Sequence, residues 1–94
     1  MTTNNKIIIT VSGTDKVGIV AKVATILADL NVNIEDIKQT LMQGHFVMFM
    51  LCNISNSKQS FKEIKDRLNK DVEELGMEVW VQRKEIFDTM HAVD

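Results

Sequence analysis

The chain has 94 residues, 45% of them hydrophobic, with 11 basic and 13 acidic side chains, one Cys and no Pro. That suits one domain with one core. It excludes a disulfide framework and a Cys-based zinc site within one chain, and no apolar run nears the roughly 20 residues of a membrane helix. The near-neutral charge gives no basic excess for nucleic acid. Polar Met1–Lys6 leads straight into Ile7-Ile8-Ile9 without the layout of a signal peptide, so a cytoplasmic protein is expected.

Lys6-Ile7-Ile8-Ile9-Thr10-Val11 is short and β-branched, which predicts a buried strand, with a turn at Ser12-Gly13. From Asp15 the period changes. Ile19, Val20, Val23, Ala24, Ile26, Leu27 and Leu30 recur at helical spacing, while Lys22 and Asp29 fall off that stripe. Asp15 is the expected N-cap, within one residue, and Asn31 the expected stop.

A second strand is predicted from Ile34 to Met42, with Ile37, Gln39 and Leu41 on one side. Gln43-Gly44-His45 breaks it, and Phe46–Leu51 follows as a third strand, apolar on both faces. Helices can cover only one of those faces, which points to a second subunit on the other. Ser60-Phe61-Lys62-Glu63 fits a capping box, opening a helix with Phe61, Ile64, Leu68, Val72 and Leu75 inward. Lys62/Asp66, Glu63/Arg67, Asp66/Lys70 and Lys70/Glu74 are candidate ion pairs on its wet face, and Gly76 is the expected C′ residue. Met77–Arg83 alternates as a fourth strand, and Ile86–Met90 predicts a short terminal helix.

The order β-α-β-β-α-β predicts an α+β, ferredoxin-like sandwich: a four-stranded antiparallel sheet in the order 4-1-3-2 with two helices on one face. A single domain over residues 1–94 is expected, its core at about 5–84 and a tail at 85–94.

The chemistry is concentrated between the first strand and first helix, in Ser12–Val20. Gly13 allows an unusual turn, and Gly18 removes a side chain at the helix start, where free N–H groups and the helix dipole favour a carboxylate. The same residues also suit plain structure: Asp15 as a cap, Gly18 as a point of close helix packing. Elsewhere Cys52 reads as an inert core thiol, and Met48 and Met50, with Met42, as packing or dimer contacts. Trp80 reads as core or interface. His45 and His91 lack a ligand cluster in one chain, although a dimer could bring two tails together around a metal. Ser12, Asp15 and His45 have the composition of a catalytic triad, but nothing in the sequence places them together. A non-enzymatic role is expected.

Gly13-x-Asp15-Lys16-x-Gly18-Ile19-Val20-Ala21, followed by Leu27-Ala28-x-x-Asn31-Val32-Asn33-Ile34, resembles the signature of ACT domains. Gln39-Thr40-x-Met42-Gln43-Gly44-x-Phe46 and Ile86-Phe87-x-x-Met90-His91 extend the likeness to stand-alone ACT-domain proteins. Val17 departs from it, standing where many members carry Pro. The resemblance implies a βαββαβ regulatory module that binds a small molecule, by default an amino acid, at a subunit interface. It implies a niche at Asp15, Lys16, Val17, Gly18 and Ile19, with Asn31, Asn33 and Ile34 opposite, from the same chain or its partner. No cofactor is implied. A homodimer is expected, with a separate protein receiving the signal; the alternative is a ligand-independent dimerisation or protein-interaction module.

Overall fold

The computed structural model describes residues 5–14 and 18–90 of the chain. Its elements are β1 (Lys6–Thr14), α1 (Ile19–Asp29), β2 (Asn33–Met42), β3 (His45–Asn53), α2 (Phe61–Glu73), β4 (Glu78–Arg83) and α3 (Lys84–Met90). The four strands form one antiparallel sheet in the order β2-β3-β1-β4, as expected.

Alternation along β1 and β3 sorts the two faces. Ile7, Ile9 and Val11 stand in register with Cys52, Met50 and Met48, and all six are fully buried. They form the floor of the core with Val79 and Val81 of β4. Ile19, Val23, Ile26 and Leu27 of α1 and Ile64, Leu68 and Val72 of α2 close it from above. The opposite face carries Ile8, Thr10 and Ser12, opposite Leu51, Phe49 and Val47. This open face is only partly solvated, because α3 folds back over β1 and β4. Phe87 of α3 meets Phe49 edge-on, with ring centroids 6.3 Å apart.

Several elements differ from the sequence expectation, each for a local reason. β1 does not turn at Ser12-Gly13 but pairs with β3 as far as Thr14. Gly13 is small because Met77 needs the space: a Cβ there would lie 2.6 Å from the Met77 sulfur. Gln43 and Gly44 alone make the hairpin turn, at φ 52° and 80°, so His45 already belongs to β3. Two successive left-handed residues match the twist of the flanking strands. In β2 the register slips between Ile34 and Asp36, leaving Glu35 as a bulge. On α2 the capping box forms as read, with Glu63 accepting from the Ser60 N–H. Arg67 instead bonds Asp71 at 2.7 Å, and Lys62 bonds Asp66. Gly76 is left-handed at φ 80°, one position later than expected, after a turn that prolongs the end of α2.

Candidate functional site

The predicted niche begins where β1 hands over to α1. Asp15, Lys16 and Val17 lie outside the described residues. The N-cap position of α1 falls at Gly18, at φ 88° and ψ 0°, three residues after the expected Asp15, and among the described residues no side chain caps the helix. No acidic residue occupies its first turn. The position of a Cβ on Gly18 has no atom of the described sheet or helices within 4 Å, so Gly18 is not a point of close packing against the sheet. Its glycine is required by the left-handed backbone. Ile19 turns its side chain into the core and is 4% exposed, so only its backbone faces the junction.

Asn31, Asn33 and Ile34 lie at the other end of α1. Asn31 is left-handed at φ 58°, as expected of a helix stop. Its N–H donates to the Ala28 carbonyl and the Val32 N–H to the Leu27 carbonyl, the paired bonds of a Schellman motif. The Asn31 side chain donates to the carbonyl of Asn56 at 2.8 Å and ties down the loop after β3. Asn33 is exposed and opens β2 opposite Asn53; Ile34 packs against the core. Beside them the bulged Glu35 accepts from the Lys6 ammonium at 2.6 Å and from Asn53 at 3.4 Å. The Lys6 hydrogen bond is the main reason the Glu35 carboxyl is held below the usual carboxylate range.

The 11 residues of α1 separate these two groups, a rise of about 16 Å. One chain therefore does not bring Gly18 and Asn33 together.

The structure does join two residues the sequence left apart. Ser12 Oγ and His45 Nε2 are 2.8 Å apart. Ser12 pairs with Val47 and His45 with Thr14, so the two are diagonal neighbours across β1 and β3. The hairpin register alone was the missing signal: with His45 assigned to the turn, its side chain had no face. Among the described residues no carboxylate bonds the imidazole, so this is a pair and not a triad. Nor do those residues contain three His, Cys, Asp or Glu side chains grouped to hold a metal. His91 lies outside them. Cys52 is fully buried, and desolvation, with a smaller contribution from the Glu35 charge, pushes its thiol up to about 12. It stays protonated at neutral pH and is a poor nucleophile. Trp80 does not enter the core; it stands on the open face and is 50% exposed.

Order, strand topology and helix placement define a ferredoxin-like α+β sandwich whose first helix opens on a left-handed glycine. A model of the ACT domain matches residues 5–82. A UPF0237 protein of Listeria innocua is 49% identical over 84 residues, 89% of this chain and 94% of its own length. An ACT domain protein from Streptococcus pneumoniae superposes with a TM-score of 0.77 at 36% identity, covering 95% of this chain and 97% of that one. The regulatory subunit of aspartate kinase from Thermus thermophilus, in a ligand-free form, shares the fold at 22% identity and a TM-score of 0.65, over 85% of this chain and 52% of that one. The chain belongs to the ACT domain family.

Proposed function

We propose that this protein is a non-catalytic regulatory module that binds an amino acid at the β1–α1 junction and works as a homodimer. The observation that carries the reading is Gly18. A left-handed glycine opens α1, and among the described residues no side chain caps the helix and no atom lies within 4 Å of the glycine's Cβ position. A carboxylate can approach N–H groups at the positive end of the helix that no described side chain caps. ACT domains commonly bind small molecules in regulation, and the Thermus thermophilus relative in fold is itself a regulatory subunit. Within one chain Asn31, Asn33 and Ile34 stand about 16 Å from Gly18. In this reading they complete the niche from the partner subunit, with Asn33 supplying both donor and acceptor to the zwitterion.

A thermal-shift panel of free amino acids tests it. A ligand at about 100 times its Kd stabilises the native state by roughly 2.7 kcal/mol, a shift on the order of 10 °C for a domain of this size. Gly18→Leu places a side chain in the empty space and should abolish the shift while circular dichroism confirms the fold. If no amino acid moves the wild-type transition, the protein is better read as a ligand-independent interaction module, which half-exposed Trp80 and exposed Leu41 would serve.

A further inference from the structure

β4 is an outer strand of the sheet: among the described strands only β1 pairs with it. Alternate residues of such a strand turn N–H and C=O groups outward, a template for another strand. Sheets ordinarily blunt their edges. β2, the opposite edge, does so with the bulge at Glu35 and the charged Asp36 and Lys38. β4 has no such device. Its register with β1 runs unbroken from Glu78 to Arg83, and its centre is Val79-Trp80-Val81, without Pro, Lys or a bulge.

Beside this edge runs α2. Arg83 lies over the Phe61 ring at 4.5 Å, and Leu75-Gly76-Met77 lead from the end of α2 to the start of β4, so helix and strand are antiparallel. Between them opens a groove of about 370 Å³, lined by Lys65, Asn69 and Glu73 of α2 and by Val79, Trp80 and Val81 of β4. The three α2 residues stand a turn apart as cation, amide and anion. Lys65 and Glu73 are separated by a rise of about 12 Å and cannot pair with each other. Neither has an ion pair or hydrogen bond among the described residues. A groove with one uncommitted charge of each sign selects no simple ion. It fits a surface carrying the same charges in the opposite order. The stripe itself is that surface: turned end for end about Asn69, it sets Lys65 against Glu73 of the partner subunit, and Glu73 against the partner's Lys65.

We infer that two copies of the chain join here, β4 antiparallel to the β4 of the partner subunit and α2 beside its α2, in one continuous sheet. The interface is isologous, with its two-fold axis beside Asn69 and Trp80. An axis at Trp80 keeps both cores on one side of the sheet and sets Val79 opposite the partner's Val81 on the helix side. One strand edge and two exposed charge pairs make a weak contact, so it forms above the micromolar range. It uses no residue of the β1–α1 niche and is separate from the contact expected on the open face, so it joins two open-face dimers.

Charge reversal tests it without touching the core, since Lys65 and Glu73 are both exposed. Four proteins are compared by light scattering from micromolar to millimolar concentration: wild type, Lys65→Glu, Glu73→Lys and the double variant. Each single variant sets two like-charged pairs across the axis and should self-associate about tenfold or more weakly, with a lower mass than wild type at a common concentration. The double variant exchanges the signs and should recover wild-type association. An equimolar mixture of the two single variants should recover it too, because an acidic stripe then meets a basic one. A role of these charges in the stability of α2 alone predicts neither recovery. A double variant as weak as the single ones overturns the inference. So do equal masses in all four proteins: at 10.7 kDa they leave the β4 edge to a strand of another protein, and at any multiple they assign assembly to the open face alone.

Discussion

At Gly18 the backbone sits at φ 88°, and among the described residues beyond its chain neighbours no atom lies within 4 Å of where a Cβ would be. A side chain there meets none of the described atoms, so the cost of adding one is conformational: on the order of 1–2 kcal/mol for an L-residue held left-handed. Gly18→Ala should destabilise the protein by about that amount, read from the urea midpoint at unchanged slope. Gly18→Asn should cost less, because Asn tolerates this conformation; Asn31 adopts it at φ 58° at the far end of the same helix. Equal losses in the two variants would mean that contacts, not backbone strain, set the requirement. Gly13 answers to the other cause, a methionine sulfur pressed against its Cα side. Both glycines are visible in the sequence, but the reason for each is not. Gly13 follows an apolar run and so resembles a turn, and its neighbour Met77 is close only once β4 lies beside β1.

Elements were more legible than their ends. The stripe of α1 and its stop at Asn31 follow from helical period and a residue that accepts positive φ. Its start was misplaced because Asp15 is the nearest capping side chain, whereas the fold uses a glycine without one. In β2, Ile34 and Ile37 are three apart, yet both face the helices through their partners Cys52 and Met50. Strict alternation forbids that, and the bulge at Glu35 is what reconciles it. The terminal helix was legible as an apolar edge. Its target was not, since Phe49 becomes a floor only when the sheet is assembled. Deleting residues 85–94 removes Phe87 from Phe49. An edge-on aromatic pair contributes about 0.5–1.5 kcal/mol beyond its buried area. The melting temperature should therefore fall by roughly 4–8 °C or more. An unchanged transition would show that α3 adds nothing to the fold.

At the scale of the molecule, the two-sided apolar character of β3 sets the open question of assembly. One face, Phe46, Met48, Met50 and Cys52, is buried under α1 and α2. On the other, α3 shields Phe49, while Val47 and Leu51 remain partly exposed and Trp80 is half exposed. An apolar patch of this kind on a small domain marks an interaction surface. A second copy of the chain is the expected occupant, and a specific interface needs about 1,200 Å² or more in total. Light scattering at micromolar concentration should then give twice 10.7 kDa. Trp80 is the only tryptophan, so its fluorescence reports this face directly. Emission should be blue-shifted in the dimer and move to longer wavelength on dilution, as the indole returns to water. Trp80→Glu places a charge in the contact and should favour the monomer, whereas Leu41→Glu, on the exposed end of β2, should not. The reverse pattern would move the interface from the open face to the β2 edge. A 10.7 kDa species throughout the micromolar range would leave the patch uncovered and remove the partner that the β1–α1 niche requires.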